Sequence, residues 1–405
     1  MISLSKELDS RINPEKSRNF SSVYYLEHLE MLEEIYKIIL KKFPTNPIKI
    51  SIVGTNGKGS TGYFLSQLFY YNGFDCGYYS SPHLVSFTER ILVNLKNYKE
   101  NSLNNYYNDF IKEIINKNNN IIKYYKNFTY FELLTIFTVY LFYRLNLKIH
   151  IYEAGMGGRF DATKIVCPDF VILTNVSLDH TKVLGNTIEK ILNEKLGIMS
   201  KNTQILFVGD PQLKTYLKKQ TLKARIEYFE SNNHFINYLE YNKQFSFFCF
   251  NKIGEFLKFN LPKKQIILKN PPGRLEIKNI YNKYIIFDVS HNTKGIYTFL
   301  NSLRKEFPDI NKENTLLILG LLKDRSYKNI ERLFSWTNLS LHYPFPYIPI
   351  KEEYIHNENI QKLSFVELKD LKKLMNHKKY IIICGSFRLY EFYLNLVEQI
   401  GEHYE

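Results

Sequence analysis

The strongest chemical signal in the chain is Gly54-Thr55-Asn56-Gly57-Lys58-Gly59-Ser60-Thr61, which follows the apolar run Ile50-Ser51-Ile52-Val53. A strand that enters a Gly-rich turn, a lysine in that turn and hydroxyls opening a helix together aim backbone N–H groups and a helix dipole at a polyphosphate. Lys58 would neutralise β/γ charge, and Ser60 or Thr61 would sit near the phosphates or a metal. The strict G-x-x-x-x-G-K-[ST] spacing is not met, because Gly59 separates Lys58 from Ser60. The plain alternative is an ordinary strand-to-helix turn, but the combination favours nucleotide binding. Glu153 is a second candidate. It ends the apolar run Ile149-His150-Ile151-Tyr152, at the carboxyl end of a strand, where open α/β sheets bind ligands. A strand-end glutamate is ordinarily a cap or a salt-bridge partner; the following Gly155-x-Gly157-Gly158 lets backbone approach a ligand closely.

These residues need elements to position them. Apolar residues at helical spacing predict a helix over 23–42, preceded by Ser21 and Ser22. Strands are expected over 47–53, 75–79, 148–153 and 170–174, and helices over 58–72, 131–145 and 187–200. This alternation implies a mostly parallel sheet covered by helices. From 202 to 270 the signal weakens into short Lys- and aromatic-rich segments. Asn270-Pro271-Pro272-Gly273 is the strongest breaker cluster, which divides the chain into domains over 1–270 and 271–405. A second α/β rhythm follows, with strands over 284–289, 315–320 and 379–384 and helices over 294–305 and 388–399.

Composition limits the class of molecule. At about 150 residues per domain, 405 residues suggest two or three domains. With 44% hydrophobic and 23% charged residues the chain is neither disordered nor fibrous. The net charge of +14 raises the question of a nucleic-acid binder, yet no run of five or six basic residues occurs. Abundant Lys, Asn, Ile, Tyr and Phe point instead to compositional drift towards A/T-rich codons. Four scattered cysteines, with no CxxC, argue against a disulfide framework or a zinc site. The most apolar stretch, 133–143, has 11 residues against about 20 needed to span a bilayer. With a polar, charged N-terminus that does not resemble a signal peptide, a cytoplasmic protein without membrane or nucleic-acid partners is expected.

The phosphate loop resembles that of the Mur ligase superfamily. Further segments are similar to its folate branch, the dihydrofolate synthase/folylpolyglutamate synthase family. They are Tyr79-Ser80-Ser81-Pro82-His83-Leu84 with Phe87, Glu89 and Arg90; Glu153 to Thr163; Leu178-Asp179-His180-Thr181 with Leu184-Gly185; and Glu194-Lys195-Leu196-Gly197-Ile198. Pro272-Gly273-Arg274-Leu275-Glu276, Asp288 with His291-Asn292, and Cys384-Gly385-Ser386 complete the series, in the family's order. The implied fold is α/β, a P-loop-containing mostly parallel sheet domain followed by a smaller Rossmann-like α/β domain.

The resemblance implies an ATP-dependent amide ligase. ATP phosphorylates a carboxylate of dihydropteroate or folate, and the amine of L-glutamate displaces phosphate from the acyl phosphate. It implies ATP contacts at Gly54, Thr55, Asn56, Gly57, Lys58, Gly59, Ser60 and Thr61, with Arg274 on the phosphates, Asp288 on the ribose and His291 beside the phosphates. It implies Mg²⁺, two ions, held by Ser81, Glu153 and His180, with a monovalent cation as a further option. Lys195, whose ordinary fate would be a solvated surface site, would be carbamylated and would help to hold the metal. Lys58, His180 and Lys195 are therefore the candidate catalytic residues. Pro82, Arg90, Phe131 and Glu132 would line the pterin pocket, although core packing is the plain reading of Phe131. Lys323, Asp324 and Ser386 are weaker candidates near glutamate or the closing interface between the domains. A monomer is expected.

Two departures from the family stand out. Only 251–270 is available for its usual strand-and-helix stretch with an adenine-reading Asn, and no helical pattern or matching motif is visible there, so the segment is expected to be trimmed. The usual Ala-His-Asn-Pro is Ser290-His291-Asn292-Thr293. Two other readings compete. A cell-wall Mur ligase would need a UDP-binding domain, whereas about 47 residues precede the first strand, against roughly 100 for a typical domain. A basic P-loop ATPase has no use for Glu153, His180 and Lys195.

Overall fold

The computed structural model describes residues 2–13, 22–230, 235–259, 266–320, 340–342, 360–362, 375 and 377–402. It divides into two compact units. One comprises Met1–Asn232 and Asn242–Lys269, the other Asn233–Tyr241 and Asn270–Glu405.

Strands of the first unit are β1 (Ile48–Val53), β2 (Cys76–Tyr79), β3 (Ile91–Val93), β4 (Lys96–Asn97), β5 (Ile149–Glu153), β6 (Phe170–Leu173), β7 (Ile205–Val208) and β8 (Arg225–Tyr228). They lie in the order β4-β3-β2-β5-β1-β6-β7-β8. Pairing is parallel from β2 through β8 in that order, and β3 and β4 add an antiparallel edge. The central strands are buried on both faces and so read as nearly continuous apolar runs, as Ile-Lys-Ile-Ser-Ile-Val does in β1. The register pairs Ile52 with Glu153 and Val53 with Leu173, so the chain leaves β1, β5 and β6 at one edge of the sheet.

The helix Tyr130–Arg144 is buried almost all round. Such a helix needs cover beyond the sheet, and Leu32, Ile35 and Ile39 of the helix Ser22–Lys42 and Phe110 of the helix Glu100–Glu113 share its core. Its start is set by a capping box: the Thr129 hydroxyl accepts from the Glu132 N–H, and the Glu132 carboxylate accepts from the Thr129 N–H.

Strands of the second unit are β9 (Glu276–Ile280), β10 (Lys283–Asp288), β11 (Thr315–Leu319), β12 (Ser340–His342), β13 (Ile360–Lys362) and β14 (Tyr380–Cys384), in the order β13-β12-β11-β14-β10-β9. All pair in parallel except β9, which forms a hairpin with β10. The helices Thr293–Glu306 and Tyr390–Glu402 accompany this sheet. The mixed α/β class with two mostly parallel sheets is the one expected. No helix among the described residues is long and apolar enough to cross a membrane.

The weak signal over 202–270 hides regular structure: β7 and β8 precede a 20-residue helix, Tyr238–Leu257, whose last turns enter the segment 251–270 where no helical pattern is visible in the sequence. Its buried stripe is Phe245, Cys249, Phe250 and Ile253. Phe247 and Phe248 lie between those positions, so the apolar run Phe247-Phe248-Cys249-Phe250 hides the 3.6-residue period and carries strand-forming aromatics. Tertiary packing makes it helical: Phe250 meets Phe69 edge-on at 5.1 Å, and Phe245 packs on Phe229 at 5.5 Å. Lys323 and Asp324 lie outside the described residues.

Candidate active site

The phosphate loop leaves β1 at Gly54, with φ of +153°. A Cβ there would stand 1.9 Å from the Thr174 hydroxyl, so only glycine allows the loop to cross the end of β6 this closely. The exit of β6 then holds the loop in shape. The Thr55 N–H donates to the Asn175 carbonyl at 2.9 Å, and the Asn56 N–H donates to the Asn175 side-chain oxygen at 3.1 Å. The Asn56 carbonyl accepts from the Thr174 hydroxyl at 2.7 Å and from the Asn175 amide at 2.9 Å. Gly57 caps the helix Lys58–Tyr71 in the left-handed conformation, and the Asn242 side chain lies against it.

Lys58 folds back so that its ammonium donates to the Gly54 carbonyl at 3.3 Å. The Ser60 and Thr61 hydroxyls are buried and have no hydrogen-bond partner among the described residues. Orphan hydroxyls at the start of a helix, with a lysine beside them, form a donor set suited to phosphate oxygens.

Glu153 is 3% exposed. Its Oε2 lies 3.2 Å from the Tyr78 hydroxyl and 3.4 Å from the Ser81 N–H. Lys195, on the helix Ile188–Leu196, is also buried, and its ammonium donates to the Gly54 carbonyl at 2.9 Å. Burial, and then repulsion from Lys58, push its pKa down to about 7, against the opposing pull of Asp179 and Asp161. The loop after β5 reaches this helix because Gly158 has no side chain; a Cβ there would be 2.4 Å from the Lys195 carbonyl. Asp161 secures the same loop by accepting from the Met156 N–H at 2.9 Å and from the Thr163 hydroxyl at 2.6 Å.

Of the three expected metal ligands, Ser81 and Glu153 are brought together. His180 is exposed, with φ of +49° and its Nε2 3.9 Å from Asp179. Among the described residues no three His, Cys, Asp or Glu side chains converge for an ion. Mg²⁺ keeps several waters and phosphate oxygens and needs few protein ligands. A carboxylate beside a serine, which leaves an ion's remaining positions to water and phosphate oxygens, fits such an ion.

In the second unit three donors already converge on Asp288. Its Oδ2 accepts from the Tyr238 hydroxyl and from the Leu275 N–H at 2.8 Å, and its Oδ1 accepts from the Ser290 N–H at 2.8 Å. Arg274 is half-buried in the preceding turn. His291 Nδ1 lies 2.9 Å from the Val289 carbonyl, so Nδ1 carries a proton. Ser386 caps the turn Phe387–Leu389 by accepting from the Arg388 N–H.

The expected pterin residues divide. Pro82 is exposed. Phe131 is half-buried, packs on Tyr79 at 5.8 Å and lies over Gly155. Arg90 is fully buried: its Nε donates to His83 Nδ1 at 2.8 Å, and its guanidinium lies over the Tyr130 ring at 5.1 Å. Glu132 is the helix cap described above and pairs with His28 at 3.0 Å. That hydrogen bond raises the His28 pKa. Sequence reasoning missed Thr174, Asn175, Tyr78 and Asn242. Only Thr174-Asn175, polar residues closing an apolar strand, carried a local signal.

The chain is similar to known proteins in sequence and fold. The Mur ligase middle domain matches residues 52–282. A dihydrofolate synthase/folylpolyglutamate synthase of Buchnera aphidicola subsp. Acyrthosiphon pisum is 28% identical over 429 aligned positions, covering 94% of this chain and 99% of that protein. The structure of E. coli FolC in complex with DHPP and ADP superposes with a TM-score of 0.73 at 24% identity, covering 92% of this chain and 93% of that one. A bifunctional folylpolyglutamate synthase/dihydrofolate synthase with Mn, AMPPNP and L-glutamate bound gives 0.74 at 22% identity, covering 91% and 94%. The structural matches share the fold, and since the family match spans more than half of the 405 residues, this chain belongs to the Mur ligase family.

Proposed function

We propose that the chain is an ATP-dependent acid–amino-acid ligase of the folate branch, joining L-glutamate to dihydropteroate, to a folate, or to both. The observation that carries this reading is the buried Lys195 ammonium, 2.9 Å from the Gly54 carbonyl of the phosphate loop, on the sheet edge that also carries Glu153. A simple P-loop ATPase has no use for that lysine. The ADP, DHPP, Mn, AMPPNP and L-glutamate bound by the related structures support the same substrates here.

The loop amides from Gly54 to Thr61, with Lys58, hold the β- and γ-phosphates of ATP. The acceptor's carboxylate oxygen attacks the γ-phosphorus, the bond to the β-phosphate oxygen breaks, and ADP departs. The glutamate amine then attacks the acyl carbon and loses a proton, and inorganic phosphate leaves. Bound Mg²⁺ supplies the positive charge that lets an anionic carboxylate approach an anionic nucleotide. Ser81, Glu153 and His180 would hold it, for two ions, with a monovalent cation alongside. A lysine whose pKa is about 7 presents a neutral amine at physiological pH. That amine adds CO₂, forming an N–C bond and releasing a proton, and the resulting carbamate replaces a positive charge with an oxygen ligand.

Arg274 and His291 serve the ATP phosphates and Asp288 the ribose. Phe131 and Pro82 face the pterin, and Arg90 and Glu132 build its wall through the partners that hold them. The enzyme acts as a cytoplasmic monomer. The test is ADP release with Mg-ATP and L-glutamate, adding dihydropteroate, a reduced folate or a UDP-muramyl acceptor in turn. Release with a pterin substrate is expected; release only with the muramyl acceptor moves the protein to cell-wall synthesis, and release without any acceptor leaves an ATPase.

A further inference from the structure

Tyr78, in β2, has been given no role so far, yet it is the side chain that joins the candidate metal carboxylate to the phosphate loop. Its ring is 2% exposed, and its hydroxyl lies 3.2 Å from Glu153 Oε2 and 3.1 Å from the Gly59 carbonyl. The ring reaches this position by crossing the helix Lys58–Tyr71 where Gly62 has no side chain. A Cβ at Gly62 would stand 2.5 to 2.7 Å from the ring and hydroxyl. A phenol carries one proton, so it can serve only one of the two acceptors at a time.

We propose that Tyr78 is a positioning residue for the divalent cation. It donates to Glu153 Oε2 with and without the cation, which holds the carboxylate in one orientation and leaves Oε1 to the cation. The ring, seated against Gly62, keeps that hydroxyl, and with it Glu153, at one distance from the start of the phosphate-loop helix. The physical basis is general. A buried carboxylate without a donor is costly, and hydrogen-bond partners behind a metal ligand set its orientation and affinity. Tyr78 touches neither substrate in this account; it acts through Glu153. The inference rests on the reading of Glu153 as a metal ligand.

The test is Mn²⁺ binding to the full chain in the presence of AMPPNP, followed by electron paramagnetic resonance, for wild type and Tyr78→Phe. Phenylalanine keeps the ring against Gly62 and removes only the hydroxyl. Loss of such a partner costs about 10–100-fold in metal affinity, so Mn²⁺ should bind at least tenfold more weakly. The melting temperature should stay within a few degrees, and AMPPNP affinity without metal should change less than threefold. Mn²⁺ affinity within twofold of wild type overturns the proposal, and so does a loss of AMPPNP affinity equal to that for Mn²⁺, which would mark general loosening. Failure of the wild type to bind Mn²⁺ with AMPPNP is a different result: it overturns the reading of Glu153 itself, and this inference with it.

Discussion

The carboxyl ends of β1 and β5 in the first unit and of β10 in the second occupy the same place in a parallel sheet, yet their polar groups are treated differently. At the first edge Lys195 is buried against a neutral carbonyl with its pKa lowered to about 7, and the Ser60 and Thr61 hydroxyls have no partner among the described residues. At the second, Asp288 is held by three donors from Tyr238, Leu275 and Ser290. Incomplete internal satisfaction is how a fold keeps hydrogen-bonding capacity for a ligand, whereas saturation is how it holds itself together. The first edge keeps its hydroxyls for a ligand, whereas Asp288 spends three of a carboxylate's roughly four acceptor sites on its own turn and would meet a ribose only through what remains.

The sharpest way to break this contrast is Lys195→Ala. Removing one preorganised charged group from a phosphoryl-transfer site costs on the order of 10²–10³ in kcat. Steady-state ADP release should fall by that much, with partial rescue by short-chain carboxylic acids; unimpaired activity would remove Lys195 from the mechanism. A pH profile sharpens the same point. Because the Lys195 pKa is lowered to about 7, the neutral amine needed for carbamate formation grows as pH rises through 7, and activity should rise with it. The sign for stability is the same. Between pH 7 and the ordinary lysine value the unfolded chain holds a proton that the folded chain has lost, so this group makes folding more favourable as pH rises. In Lys195→Met both dependences should flatten.

Asp288→Asn tests the other side. Its main effect should be a stability loss of about 2–3 kcal/mol, from weakening hydrogen bonds to a buried charge, measured by denaturant unfolding of the second unit. The KM for ATP should change only a few-fold. A tenfold rise in KM with unchanged stability would instead make the two edges alike. The smallest effect is expected at Thr129→Ala, which removes the cap of the helix Tyr130–Arg144 and should cost about 1 kcal/mol. A loss above 3 kcal/mol would mean that the Glu132–His28 pair collapses with it.

Legibility in the sequence followed how local each cause is. The phosphate loop was readable because strand, glycines, lysine and hydroxyls are consecutive. The helix Tyr238–Leu257 was not, because Phe247 and Phe248 between its buried positions blur its period, and contacts with Phe69 and Phe229 show which face is buried. Lys195 could be named from its motif, but nothing in Glu194-Lys195-Leu196 shows that its ammonium is buried beside the Gly54 carbonyl, 141 positions away in the chain. Arg90 and Glu132 were expected at a pocket surface; the structure shows both engaged with partners, His83 and Tyr130 for the first and His28 and Thr129 for the second.

The sequence by itself determined the α/β class, the phosphate loop and the identities of the residues that can hold phosphate or metal, since those depend on short-range order and side-chain chemistry. Tertiary structure alone decided which polar groups are saturated and which are held in reserve. It placed Thr174 and Asn175 on the loop, Tyr78 between Glu153 and Gly59, and Tyr238 on Asp288. Hydrogen-bond satisfaction and burial are properties of neighbours in space, and the neighbours that matter here lie from 19 to 141 residues apart in the chain.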